Sequence, residues 1–189
     1  MNKIILITIF LIEISSIFTL KTTPIWPTTF IADFHTIYHT EPIETRTKQY
    51  WDGTNEKIRD DIHKTDTLTE TLLLLFGEHK ACEILNHTTN AVCGCSVDNG
   101  TMPHPTFDEW DFVNKTTYLQ KSVFLYQIQT QTGHSYMYWW DVNNAPYTIA
   151  RMWNSAVDII YDSVQIVEQI DPSVFVPPSI CSEKKFQNF

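Results

Sequence analysis

Long stretches of the chain alternate between apolar and polar residues with a period of two. From Phe30 to His39, one side carries Phe30, Ala32, Phe34, Thr36 and Tyr38, and the other Ile31, Asp33, His35, Ile37 and His39. That period, with aromatic and β-branched residues, predicts a strand. After Glu41-Pro42 a second run, Glu44 to Trp51, sets Thr45, Thr47, Gln49 and Trp51 against Glu44, Arg46, Lys48 and Tyr50. Asp52-Gly53 is a strong turn dipeptide, and Glu56 to His63 resumes as a third strand, so the chain opens as a meander. Lys80 to Leu85, Ala91 to Val97, Tyr118 to Thr130, Ser135 to Val142 and Tyr147 to Trp153 continue the pattern, separated by polar turns. Residues 99–111, with Pro103 and Pro105, read as a loop.

Two segments are less regular. Thr67 to Phe76 is leucine-rich and suits a strand or a buried helical turn; Gly77 and the surrounding strands favour strand. In Asn154 to Ile170, Val157, Ile160, Tyr161 and Val164 fit a helical stripe, whereas Ile159, Tyr161 and the β-branched content fit a strand. The fold class expected is therefore mainly β: a curved antiparallel sheet or half-barrel, with room for one C-terminal helix.

The start of the chain alters the chemistry expected of the rest. Lys3 precedes an apolar run from Ile4 to Leu20 that is interrupted only by Glu13 and a few hydroxyl residues. This is the pattern of a secretory signal peptide, with a membrane anchor as the rival reading. Residues 21–189 then form a single β-rich domain in the secretory pathway lumen or outside the cell, tethered to a membrane if the segment is retained. The four cysteines, Cys82, Cys93, Cys95 and Cys181, are expected to form two disulfides there. A hairpin centred near Thr88 would bring Cys82 opposite Cys95 or Cys93, leaving Cys181 to staple the C-terminal segment to the remaining partner. A redox Cys-x-Cys, or a zinc site with His104, needs thiolates that this compartment disfavours. Asn86, Asn99 and Asn114 each begin a proline-free sequon in a polar, turn-like stretch and are expected to carry glycans.

Composition narrows the function further. With 22 acidic and 13 basic residues the net charge is −9, which disfavours nucleic acid as a partner. No Gly-x-Ser-x-Gly elbow, phosphate loop or dinucleotide fingerprint occurs. Cys93-Gly94-Cys95-Ser96 lacks a histidine at papain-like distance, so the reading is non-enzymatic. His35 and His39 would sit about 13 Å apart along a strand, too far to share an ion. The acidic groups Asp60, Asp61, Asp66 and Asp108, Glu109, Asp111 lack the glycine of a calcium loop. Neither a metal nor any other cofactor is expected.

Aromatic density is the positive signal. Six tryptophans, eight tyrosines and eleven phenylalanines exceed what a plain sandwich needs, and the adjacent Trp139 and Trp140 must face opposite sides of a strand. A sheet curved around an apolar ligand would use them. Phe30, Phe34, Trp51, Phe124, Tyr126, Tyr138 and Trp140 are the candidate ligand-binding residues. A lipid or other apolar small molecule is the expected partner, and an extracellular protein the alternative.

Two stretches resemble a known family. Tyr50-Trp51-Asp52-Gly53-Thr54-Asn55-Glu56-Lys57-Ile58-Arg59-Asp60 is similar to the aromatic-Asp-x-x-Asn-x-(Lys/Arg)-x-Arg hairpin of ependymin-related secreted glycoproteins. Asp171 to Cys181, with Phe175-Val176-Pro177-Pro178, resembles their closing segment. A similar arrangement occurs in the non-catalytic N-terminal domain of some protist papain-family proteases. The resemblance covers about a sixth of residues 21–189. It implies a fold like the bacterial lipoprotein-carrier half-barrel, with disulfides, surface glycans and a hydrophobic cavity.

Overall fold

The computed structural model describes residues 25–38, 43–87, 90–104, 107–118, 120–130, 133–142, 145–152 and 157–181. Residues 1–20 lie outside them, as do His39 and the dipeptide Asn143-Asn144. The described chain forms eleven strands: β1 Thr29–Tyr38, β2 Glu44–Asp52, β3 Lys57–Thr65, β4 Leu68–Leu75, β5 Lys80–His87, β6 Ala91–Val97, β7 Asp111–Tyr118, β8 Lys121–Thr130, β9 Gly133–Val142, β10 Ala145–Met152 and β11 Val157–Ile166. They make one open antiparallel sheet in the order β6-β5-β4-β3-β2-β1-β11-β10-β9-β8-β7. Consecutive strands pair antiparallel except β6 and β7, which form the two edges of the sheet, and one long-range pairing, β1 with β11, joins its two arms.

The open C-terminal segment is thus resolved as strand. No α-helix occurs among the described residues; short 3-10 turns at Phe76–Glu78 and Pro172–Phe175 are the only helical turns there. The helix-like stripe has a local cause. The β1–β11 register shifts between Asp33 and Phe34, whose partners are Ser163 and Tyr161, so Asp162 is the extra residue of a bulge. A bulge places residues three apart on one face, and Tyr161 and Val164 accordingly pack into the same cluster. A second correction concerns Tyr118 to Thr130, where two strands meet: β7 ends at Tyr118 and β8 begins at Lys121, with Gln120 at φ 64° between them. Strand β7 is an exposed edge whose Asp-Phe-Val-Asn-Lys-Thr-Thr-Tyr sequence has no clean alternation. Its pairing with β8 makes it a strand.

The sheet's curvature is visible in what Trp26 touches. Its ring lies 5.9 Å from Trp51 of β2 and 6.2 Å from Phe107, and Phe107 clusters with Tyr126 of β8 and Met137 of β9. On a flat sheet β2 and β8 would be five strand spacings, roughly 24 Å, apart. The face carrying Phe30, Trp51, Tyr161 and Tyr126 is therefore concave.

The convex face of the β1–β6 arm is covered by the C-terminal segment. Ile170 and Phe175 are buried there against Leu73, Leu75, Cys82 and Cys95, with Ile31, Tyr50, Val167, Val174 and Cys181 around them. Two disulfides hold this layer: Cys82–Cys95 across β5 and β6, and Cys93–Cys181, which ties the strap to β6. The hairpin had left Cys82 a choice of partner. The β5–β6 register settles it, because Cys82 is directly opposite Cys95 whereas Cys93 faces Ile84. Disulfides of this kind form in an oxidising environment. Among the described residues no helix is long and apolar enough to cross a membrane.

Candidate functional site on the concave face

Three cross-strand rungs build the concave face of the β1–β6 arm. The inner rung runs Phe30, Trp51, Ile58, Leu74, Ala81 and Ser96. The middle rung runs Ala32, Gln49, Asp60, Leu72, Glu83 and Gly94, and the outer one Phe34, Thr47, Ile62, Glu70, Leu85 and Val92. Because the strand period is two, one register decision assigns every residue of a strand to its face.

The inner rung is closed. Phe30 stacks on Trp51 at 5.6 Å with their planes 14° apart, and Trp26, Phe76 and Met102 pack over them. Trp26 comes from the lead-in before β1; Met102, Phe107 and Trp110 come from the connection between β6 and β7, so two irregular segments plug the hollow. Gly53 holds the lead-in: its N–H donates to the Thr28 carbonyl at 2.8 Å. A Cβ at position 53 would meet that same oxygen at 2.7 Å.

The middle rung is polar at its centre. The Gln49 side chain donates through Nε2 to Oδ1 of Asp60 at 2.9 Å, while its Oε1 is buried without a hydrogen-bond partner. Asp60 lies between Ile58 and Ile62 on its own strand and opposite Leu72. Burial pushes its carboxyl up to about 6, aided by neighbouring Asp61, although the Gln49 hydrogen bond acts the other way. Tyr161 is held well above the ordinary phenol range by burial and by the Asp60 charge, so it stays neutral near physiological pH. A second buried polar atom, the indole nitrogen of Trp26, also lacks a partner. Unpaired groups of this type are uncommon, since each costs about 1–3 kcal/mol of desolvation.

The outer rung is the open one. Phe34, whose ring lies 5.2 Å from Tyr161, Ile62 and Leu85 are half-buried, and Val92 on the edge strand is 57% exposed. Glu70 there is ion-paired with Lys64.

The sequence-derived candidates are distributed as follows. Phe30 and Trp51 form the closed inner rung, and Phe34 flanks Tyr161 on the open one. Phe124 and Tyr126 lie on the other arm, where Tyr126 is buried with Phe107 and Met137 and Phe124 packs beside them. Tyr138 and Trp140 belong to β9, opposite Leu125 and Val123 in register, whereas Met137 is opposite Tyr126; the side chains of Tyr138 and Trp140 lie outside the described residues. Gln49 and Asp60 were not among the candidates. Their signal was present, because polar residues at positions sharing the parity of Trp51 and Ile58 point into an apolar face.

Other chemistry considered from sequence resolves into ordinary interactions. Asp60 and Asp61 face opposite sides of the sheet; Asp61 accepts from Arg59 Nε at 2.9 Å and from the Thr71 hydroxyl at 2.7 Å, so the acidic cluster is not one site. His35 Nδ1 lies 3.0 Å from an Asp162 carboxylate oxygen. Cys93, Cys95 and Cys181 bring their sulfurs within 4.8 Å of one another, but all are engaged in disulfides. Asn99 follows β6 in a loop, whereas Asn86 is on β5 and Asn114 on β7, which corrects the expectation that all three occupy turns. Asn99 and Asn114 are exposed. A polar depression at the ends of β2–β4 is lined by Glu44, Arg46, His63, Lys64, Thr65, Asp66 and Thr69; it holds none of the aromatic candidates.

The stretches Tyr50 to Asp60 and Asp171 to Cys181 meet in space. Arg59 donates through Nη1 to the Val174 carbonyl at 2.7 Å and lies over the Tyr50 ring. Asp52 accepts from the Asn55 backbone and side chain at 3.1 and 2.8 Å, locking the β2–β3 turn, and Lys57 pairs with Glu78. Each of these motif residues therefore has a structural task.

No protein-family model and no curated protein matches the chain. An uncharacterized conserved protein from Thermus thermophilus has a similar fold, with a TM-score of 0.58 at 9% identity over 84% of this chain and 90% of that one. PNGF-II is a looser likeness, with a TM-score of 0.38 at 10% identity over 82% of this chain and 31% of its own. The Thermus likeness bears on the fold alone.

Proposed function

We propose that this chain is a secreted, non-enzymatic glycoprotein that binds an apolar ligand such as a lipid on the concave face of its half-barrel. The observation carrying this reading is the outer rung: Phe34, Ile62 and Leu85 stay half-buried on the concave side, beside a polar pair with an unsatisfied acceptor. Ligand sites are concave and mainly apolar, with a few placed polar groups. The paired disulfides, the three sequons and the apolar start of the chain support an extracellular address, and the ependymin-like stretches support a carrier-type half-barrel. Tryptophan emission and thermal unfolding, followed during titration with fatty acids, fatty alcohols, fatty amines and phospholipid vesicles, test the reading. Quenching with a rise in Tm is expected for at least one of them. No response to any would overturn it.

A second reading, an extracellular adhesion or interaction module with a filled core, is favoured by the plugged inner rung and by Phe112 and Val113, 38% and 42% exposed on edge strand β7. It predicts no ligand response, together with concentration-dependent association that Phe112→Ser abolishes.

A further inference from the structure

Asp60 sits on the apolar side of β3, and no ion pair engages it among the described residues. The basic side chains nearest in sequence are committed elsewhere: Arg59 to Asp61 and Val174 on the convex face, Lys57 to Glu78, and Lys64 to Glu70. Its one hydrogen-bonding partner there, Gln49, turns an amide N–H toward it and leaves a second acceptor, Oε1, buried and empty-handed. Gln49 is 9% exposed, so bulk water does not serve that oxygen. The rung thus offers two adjacent acceptors, one of them anionic, between apolar residues, with the Phe34 and Tyr161 rings alongside on β1 and β11. A carboxylate ligand would meet like charge here, and a plain hydrocarbon would leave Oε1 unsatisfied. A primary ammonium has three donors and a positive charge, and aromatic faces favour cations.

Resting on the carrier reading above, we infer that the concave site recognises an apolar primary amine, its ammonium held by Asp60 and Gln49 Oε1 and its chain laid over Phe34, Ile62 and Leu85. The charged and titratable groups around Asp60 are few. Tyr161 faces it from β11 and stays neutral, Asp61 follows it on β3 with its carboxylate turned to the convex side, and Glu70 on β4 is paired with Lys64. Asp60 is therefore the group whose ionisation sets the preference.

The test compares decylamine, decanol and decanoate, each below its micelle concentration, by tryptophan quenching and calorimetry at 0.3 M salt. At pH 7.5 the folded protein is expected to bind decylamine at least tenfold more tightly than the other two, and at pH 5 that margin narrows as Asp60 protonates. Asp60→Asn and Gln49→Leu should each lose the preference for decylamine over decanol, and circular dichroism checks that they fold. Asp66→Asn, which removes an exposed carboxylate with the same change in net charge, should keep the preference. Equal binding of all three ligands, a preference for decanoate, or a preference that survives Asp60→Asn would overturn the amine assignment and leave the apolar-carrier reading standing. If none of the three binds, nor any lipid, both fall.

Discussion

The two faces of the β1–β6 arm are covered in different ways. On the convex side a single segment, Val167 to Cys181, lies against Leu73, Leu75 and Cys82 and is tied down covalently at Cys181. On the concave side the cover comes from two irregular segments with no covalent tie, Trp26 with its neighbours and the Met102–Trp110 connection, held by aromatic packing and by the Thr28–Gly53 hydrogen bond. On the convex side Arg59 and Asp61 find partners, Arg59 fastening the C-terminal segment through the Val174 carbonyl. On the concave side two buried polar atoms, Gln49 Oε1 and the Trp26 indole nitrogen, lack a hydrogen-bond partner, and Asp60 has no counter-charge among the described residues. On the proposed carrier reading, the face with unsatisfied polarity is the one where binding energy would be realised.

The strongest way to break this contrast is to cut the strap. The Cys93–Cys181 link spans 88 residues, and cross-linking a loop of that size stabilises by about 4–5 kcal/mol in the chain-entropy model. Cys93→Ser with Cys181→Ser is expected to lose most of that in denaturant unfolding, and to make the 167–181 amides exchange faster while those of β8 and β9 stay protected. Loss of protection in β8 and β9 as well would show that the faces are not independent.

Removing the concave plug comes next. Trp26→Ala deletes the ring shared by the Phe30–Trp51 and Phe107 clusters and should cost about 3 kcal/mol, the lower end for buried aromatic truncation because Trp26 is only half-buried. If the plug limits access to the inner rung, the variant also binds decanol more tightly. An unchanged melting curve would remove Trp26 from the core.

Gly53→Ala is a finer probe of the same cover. A methyl group at 2.7 Å from the Thr28 carbonyl forces the lead-in away, with an expected loss of roughly 1–3 kcal/mol as for other overpacked sites. Trp26 emission should shift to the red, because the lead-in carries that ring. Trp26 emission that stays in place would mean the lead-in is held by packing alone.

The smallest effect has the opposite sign. Because the fold raises the Asp60 carboxyl from 3.8 to about 6, the protonated form is favoured in the native state. That contribution is complete below pH ~4 and is lost as pH rises through about 6. Asp60→Asn should therefore raise stability by on the order of 1–2 kcal/mol at pH 8 and change it little at pH 4. A stabilisation that does not vary with pH would mean the carboxyl is not desolvated.

How far the sequence could be read depended on the range of the forces involved. Strands β1 to β3 were plain in their alternation, and the Asp52-Gly53 turn was plain in its dipeptide, because period and turn chemistry are local. Strand β7 was missed, since an exposed edge needs no apolar face and takes its conformation from β8. The helix-like spacing in β11 was ambiguous, because the Asp162 bulge counts residues as a helix would. The candidate site was legible only in part. Phe34 was named from aromatic content, whereas Gln49 and Asp60 needed register: Asp60-Asp61 reads as one acidic patch until pleating sends the two carboxylates to opposite faces.

By itself the sequence determined a mainly β meander, with the C-terminal segment open between strand and helix, two disulfides with Cys82 facing the 93–95 pair, and an aromatic surplus, all consequences of side-chain type and short spacing. Only the tertiary structure decided that β1 closes on β11, that Cys82 takes Cys95, that the inner aromatics are plugged, and that Asp60 has no counter-charge among the described residues. Each of those depends on which distant residues meet. Curvature and long-range register settle that for the whole sheet at once, and no local pattern encodes it.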